Sequence, residues 1–178
     1  ALALWHIEQN NPRTVDHKDS MQGSYLGPEY TQKEIEQQLE DAGAKFETLS
    51  EDELIEKTSH DLSLGEAIGW FQGRMEFGPR ALGGRSILAD PRSSKIQKNL
   101  NLKVKYRESF RPFAPSILAE DLKEWFDINN NSPYMLLVAN IKEDKAIKMN
   151  EEQKKLFGID KLNIKRSEIP AVTHVDYS

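Results

Sequence analysis

Apolar residues recur along this chain with two spacings, and each change of spacing falls at a recognisable stop. Residues 1–9, Ala-Leu-Ala-Leu-Trp-His-Ile-Glu-Gln, read as a short helical run that Asn10-Asn11-Pro12 ends. The polar stretch through Ser24 reads as a linker, and Tyr25 to Tyr30 as an apolar turn. From about Thr31 to Gly43 the spacing is helical. Ile35 and Leu39 share a face, Thr31 and Glu34 have capping-box spacing, and Gly43 is a natural stop. Phe46 to Leu49 alternates as a strand does. Ser50 with Glu53 repeats the capping box and opens a helix through about Lys57. Ala67 to Phe71 is predicted as a buried strand, with Trp70 and Phe71 in the core.

In the second half, Gly84 to Ala89 reads as a strand that Asp90-Pro91 breaks. A helix follows, with Ile96, Leu100 and Val104 on one face. Phe113 to Ala119 is expected to be a strand and Glu120 to Phe126 a short helix, with Trp125 in the core. Tyr134 to Ile141 is a strongly apolar strand candidate, a Lys-rich helix is expected around 150–157, and Ala171 to Val175 makes a final strand. The alternation of strands and helices implies α/β or α+β, with one mixed sheet.

Composition narrows the class. With 178 residues, 38% hydrophobic and 30% charged, the chain has one domain's worth of core. It contains no cysteine, which excludes disulfides, thiolate metal sites and a Cys nucleophile, and leans towards a cytoplasmic setting. No apolar run approaches the roughly 18 residues of a membrane span. The chain starts at Ala1 rather than Met and stops at Ser178 just after a strand-like run, so both ends are expected to continue in a longer protein.

Charge then changes the picture. The net charge is −5, yet residues 74–111 carry +7, because ten Lys and Arg face only Glu76, Asp90 and Glu108. Positive charge of this density among Gly and Pro suits a multiply charged anion, and phosphate is the first expectation. Gly73, Gly78, Gly83 and Gly84 permit close backbone approach, and Pro79 stiffens the turn before Arg80. Arg80, Arg85, Lys105 and Arg111 are the candidate anion ligands, with Ser86 and Ser116 as neutral donors. Such a set supports in-line displacement at phosphorus by positioning and electrostatics. Lys95, Lys98 and Lys103 read as a solvated helix face, and Arg92 as a turn partner of Asp90. Neither a Walker A loop nor a Rossmann fingerprint occurs.

His6, His17 and His60 read as surface residues. His174 and Asp176, two apart on an expected strand, share a face, but no third metal ligand accompanies them, so no metal site is assigned. A nucleic-acid-binding module is the competing class. The overall acidity and the lack of a stacking motif among Phe77, Tyr106, Phe110 and Phe113 weigh against it.

Two blocks are specific enough to carry a family resemblance. Trp70-Phe71-Gln72-Gly73-Arg74-Met75-Glu76-Phe77-Gly78-Pro79-Arg80-Ala81-Leu82-Gly83, continued by Arg85 to Arg92, resembles the signature of the O-carbamoyltransferases that act on nodulation factors and antibiotics. Lys103 to Ser116 is similar to that family's second block, with weaker likeness at Tyr25–Tyr30 and Thr173–Asp176. Gly84 stands where many members have Asn.

The resemblance implies a two-domain enzyme. An N-terminal actin-like ATPase domain would hold a metal (Mg or Fe) and perform transfer. A C-terminal YrdC-like domain, a twisted mixed sheet flanked by helices, would form carbamoyl-adenylate from carbamoyl phosphate and ATP. Residues 1–24 would then be the last helix and linker of the N-terminal domain, and 25–178 the YrdC-like domain, truncated at its C-terminus. Arg80 and Lys105 carry over as catalytic, and Arg80, Arg85, Ser86, Lys105, Arg111 and Ser116 as substrate-binding. The alternative is a YrdC-like RNA- or nucleotide-binding module without transfer activity of its own. As an isolated piece the chain is expected to be inactive in transfer.

Overall fold

The computed structural model describes residues 1–14 and 18–178; His17 lies outside the described residues. Two capped helices begin the ordered pattern. Helix α1 (Gln32–Asp41) opens on the expected box: the Thr31 amide donates to Glu34 and the Glu34 amide to the Thr31 hydroxyl. Helix α2 (Glu51–Ser63) opens on the equivalent Ser50/Glu53 box and runs past Lys57. No breaker intervenes until Gly65, whose φ of +87° ends the helix.

The chain then enters a two-stranded antiparallel sheet. Strand β1 (Ile68–Phe71) pairs with β2 (Arg85–Leu88), Ile68 opposite Leu88 and Phe71 opposite Arg85. The Gln72 amide donates to the Gly84 carbonyl at 2.9 Å, so the pairing reaches the base of the basic loop and fixes its two ends together. Helix α3 (Ile96–Asn99) passes directly into a π-helical turn at Leu100–Val104, closed by Lys105 N–H to the Leu100 carbonyl at 2.8 Å. Ile96 and Leu100 are buried as expected. The wider π turn rotates Val104 off their face, and Val104 is exposed.

Ile96, Leu100 and Ala171 form the core cluster, with Ala89 and Phe113 packed against it. One residue from the end of the first basic block and one from the second thus share a core. Short helices α4 (Leu122–Trp125), α5 (Glu151–Lys154) and α6 (Gly158–Leu162) complete the helical set. Residues Leu4–Glu8 form a π turn rather than a regular helix.

Four expected strands form no ladder. Phe46–Leu49 and Phe113–Ala119 have no strand pairing, and Tyr134–Ile141 contributes a single bridge, Ile141 to Phe126. Leu136 and Val138 are 80% and 82% exposed, because the described residues supply neither a neighbouring strand nor a covering layer for that apolar run. Ala171–Val175 is buried in part but turned, following a network of side-chain bonds rather than a sheet. Trp70 and Trp125 are half-buried, Trp125 lying under the Lys145 ammonium at 4.7 Å, and Phe71 is exposed on the sheet's open face. The architecture among the described residues is therefore a set of helices and one small antiparallel pair, with α2 packed on β1.

Candidate anion-binding site

The first basic loop is organised by a carboxylate. Glu76 is 4% exposed. Its Oε1 accepts the Leu82 and Gly84 amides at 2.5 and 2.8 Å, and its Oε2 accepts Arg85 Nε at 3.2 Å. Burial pushes this carboxyl up. The backbone donors and Arg85 outweigh that effect and hold it below the usual glutamate value. Arg85 also donates to the carbonyls of Glu76 and Gly78 at 3.3 and 2.6 Å. Loop residues before and after Arg80 are thereby tied to one ion pair, and Arg80 is left at the apex.

The loop is also sewn to residues 24–28. Phe77 N–H donates to the Ser24 carbonyl, Gly27 N–H to Met75, and Met75 N–H to Pro28, at 2.7, 2.9 and 2.9 Å. The Tyr25 hydroxyl donates to the Leu82 carbonyl at 2.7 Å. Gly84 sits in this seam: a Cβ there would meet the Arg74 carbonyl oxygen at 3.0 Å and the Tyr25 ring at 3.1 Å. The glycine at the position where the resemblance leads one to expect Asn is accordingly matched by the closeness of Tyr25 and Arg74.

An uncharged residue organises the second loop. Asn101 is fully buried. Its Nδ2 donates to the Ser109 and Arg111 carbonyls at 3.2 and 2.9 Å, and its Oδ1 accepts Arg107 Nε at 2.6 Å. Its own carbonyl accepts Arg107 N–H at 2.9 Å. The Arg107 guanidinium lies 5.0 Å over the Phe113 ring. Residues 105–111 are closed around Asn101, with Lys105 and Tyr106 outside.

These contacts sort the cations. Arg74 is held by Glu29 and the Gly27 carbonyl, Arg85 by Glu76, Arg107 by Asn101, and Arg111 by Glu108 at 2.9 Å. Arg92 forks onto Asp90 as expected; that hydrogen bond lowers the Asp90 carboxyl and raises the guanidinium. The side chains of Arg80 and Lys105 are exposed and bond to no other group among the described residues. Lys95 at the start of α3, Lys98 within it and Lys103 in the π turn that follows are likewise without ion pairs among the described residues. Of the hydroxyls, Ser86 accepts the Gly83 amide at 3.1 Å and stiffens the Arg80 loop, while Ser116 is exposed. Arg80, Arg85 and Ser86 are thus brought together in one loop and its strand. No hydrogen bond or ion pair among the described residues links them to Lys105, Arg111 or Ser116.

At the C-terminal end, Arg166 is 1% exposed and donates to five carbonyls, those of Lys161, Leu162, Ile164, Thr173 and His174, at 2.7 to 3.0 Å. Ser167 and Thr173 share a buried hydroxyl bond of 2.7 Å. His174 and Asp176 therefore lie in turns pinned by Arg166 rather than on a strand. Among the described residues no group of three or more His, Asp or Glu is placed to hold a metal.

Glu76, Asn101 and Arg166 are the organising residues that the sequence pattern does not single out. Only Glu76 left a signal, as one of three acids among the ten cations of residues 74–111.

Longer proteins contain segments similar to this chain. Over 180 residues covering the whole chain, 53% are identical in an uncharacterized protein of Synechocystis, of which this is 29%. The nodulation protein NolNO of Sinorhizobium fredii is 37% identical over 163 residues, 89% of the chain and 21% of that protein. The 3'-hydroxymethylcephem-O-carbamoyltransferase of Streptomyces clavuligerus is 42% identical over 90 residues, 51% of the chain and 17% of that protein. The chain thus spans less than a third of the length of these relatives. Residues 59–178, which hold both polar-centred loops and the Arg166 network, match the family described as carbamoyltransferase C-terminus; the chain belongs to that family.

Proposed function

We propose that this chain is the part of a carbamoyltransferase that forms carbamoyl-adenylate from ATP and carbamoyl phosphate. Transfer to a hydroxyl acceptor would then be carried out by an N-terminal actin-like domain of the same polypeptide. In this reading residues 1–24 connect to that domain and 25–178 form a YrdC-like domain. One observation carries the reading: within residues 74–111, Arg80 and Lys105 are the exposed cations, without ion pairs among the described residues, that stand on loops held by buried polar residues. Neighbouring cations are engaged in building those loops. Arg80 and Lys105 are thus placed to receive phosphate oxygens, with Arg111 and Ser116 adjacent to the second loop. Arg85 and Ser86 position Arg80.

Stoichiometry defines the test. For carbamoyl-adenylate to form, water must first cleave carbamoyl phosphate to carbamate and inorganic phosphate, and a carbamate oxygen must then displace pyrophosphate from the α-phosphorus of ATP. The intact polypeptide, given both substrates, should release phosphate and pyrophosphate in equal amounts. Arg80→Ala and Lys105→Ala should each lower pyrophosphate release on the order of 100-fold, the scale of losing a preorganised charge contact. Unchanged release in both variants would overturn the assignment.

A further inference from the structure

Tyr106 combines three properties that no packing contact explains. Its φ is +49°, a left-handed conformation that side chains with a Cβ rarely adopt. Its side chain is 85% exposed. Its hydroxyl has no hydrogen-bond partner among the described residues. Tyr177 has a similar φ of +66°, but its hydroxyl is engaged by the Met149 amide and the Ile147 carbonyl. At Tyr106 nothing comparable offsets the strain.

The strain is imposed from both sides. Lys105 N–H is bonded to the Leu100 carbonyl and Arg107 N–H to the Asn101 carbonyl, at 2.8 and 2.9 Å. Between these two anchors the Tyr106 backbone has no freedom to relax. Asn101, fully buried, locks the Arg107 side chain as well. The fold therefore holds an aromatic ring out in solvent beside Lys105. Strained, over-determined residues concentrate at ligand sites. A flat ring next to an available ammonium matches the two halves of a nucleotide, an aromatic base and a polyphosphate.

Resting on the nucleotide reading above, we propose that Tyr106 is the stacking platform for the adenine base of ATP, whose phosphates Lys105 engages. The site would then select a nucleotide over a bare polyphosphate through ring stacking, which is tolerant of the polar edges of the base.

The test is calorimetric titration of the intact polypeptide with ATP and, separately, with inorganic tripolyphosphate. Tyr106→Ala should weaken ATP about tenfold or more and leave tripolyphosphate unchanged. Tyr106→Phe should bind both as the parent does, and Lys105→Ala should weaken both. Tyr106→Gly relieves the backbone, so its melting temperature should equal or exceed the parent's while its ATP affinity falls as in Tyr106→Ala. ATP affinity within twofold of the parent in Tyr106→Ala, or an equal loss for both ligands, overturns the stacking role. Equal parental affinity for ATP and tripolyphosphate also overturns it, while leaving the anion site intact. Parental failure to bind either ligand removes the nucleotide reading itself. Loss of RNA binding in Tyr106→Ala with ATP binding unaffected would assign the platform to RNA and overturn the proposal.

Discussion

Replacing Glu76 with Gln keeps the side chain's shape and removes its charge, so the contacts of the carboxylate set the cost. The glutamine carbonyl can still face the Leu82 and Gly84 amides, which lie 2.5 and 2.8 Å from Glu76 Oε1. Its amino group must then face Arg85 Nε, which the carboxylate met at 3.2 Å, so a donor opposes a donor. Losing that charge-assisted bond costs about 1.5–3 kcal/mol, and weakening two others by neutralising their acceptor adds about 1. Breaking a fully buried pair costs about 3–5 kcal/mol. Arg85 is 33% exposed and regains some hydration, which places Glu76→Gln near 3 kcal/mol by the same scale. In a domain of this size each kcal/mol moves the melting point by about 2–4 °C, so the transition should fall by about 6–12 °C at pH 7. The folded-state carboxyl is depressed, so its contribution is complete above the ordinary value of 4.5 and is lost as pH falls through the depressed value. Thermal unfolding followed by circular dichroism from pH 7 down to pH 3 should show the gap between parent and variant closing only in acid. A gap below about 0.5 kcal/mol at pH 7, the range of ordinary surface substitutions, would refute the organising role of Glu76. So would a gap that persists undiminished in acid.

Two more outcomes rest on the same kind of contact. Arg166→Lys puts a single ammonium where a planar fork reached five carbonyls, and should cost about 3–5 kcal/mol, with amide exchange in residues 158–178 accelerating before global unfolding. Equal exchange in parent and variant would contradict the carbonyl cage. Gly84→Ala should cost about 1–3 kcal/mol by overpacking against Tyr25 and the Arg74 carbonyl, whereas Gly69→Ala, with nothing within 4 Å of its Cβ, should be near neutral by urea titration.

How much was legible in the sequence depends on how local the cause is. The boxes at Thr31 and Ser50 and the Asp90–Arg92 pair are decided within a few residues, and all three form as read. The two strands flanking the basic loop also form, because that loop's own bonds bring their ends together. Strand expectations at Tyr134–Ile141 and Phe113–Ala119 rested on apolar content alone. Apolar content states what a segment needs but not which neighbour supplies it, and Leu136 and Val138 stay in solvent. At the site, the cations stood out by charge, yet charge could not separate Arg85, which builds the loop, from Arg80, which the loop presents. That separation comes from acceptors such as Glu76 and the Gly78 carbonyl, and from Asn101, whose partners lie on residues after a π turn that no pattern announced.

The division of labour among the cations also explains how a segment of +7 folds without tearing itself apart. Glu29, Glu76, Asp90 and Glu108 each take one guanidinium, and Arg107 is satisfied by Asn101 and the Phe113 ring. The remaining excess sits on Arg80, Lys105, Lys95, Lys98 and Lys103, but these are not equivalent. Ordering a loop residue costs about 1–2 kcal/mol. Loops closed around Glu76 and Asn101 have lost that backbone freedom at folding, so Arg80 and Lys105 would meet an anion without losing it again. Arg80, Lys105 and the three lysines all lose side-chain freedom on binding, about 2 kcal/mol for a fully fixed chain, so what sets Arg80 and Lys105 apart is their place on loops whose geometry Glu76 and Asn101 fix. Affinity for a phosphate ligand should therefore depend on Glu76 and Asn101, which never touch it, as strongly as on the cations that do. It should be indifferent to Lys95, Lys98 and Lys103. A parental Kd for ATP in Asn101→Ala, measured alongside a weakened Lys95→Ala, would reverse that order and with it the view that loop preorganisation makes the site.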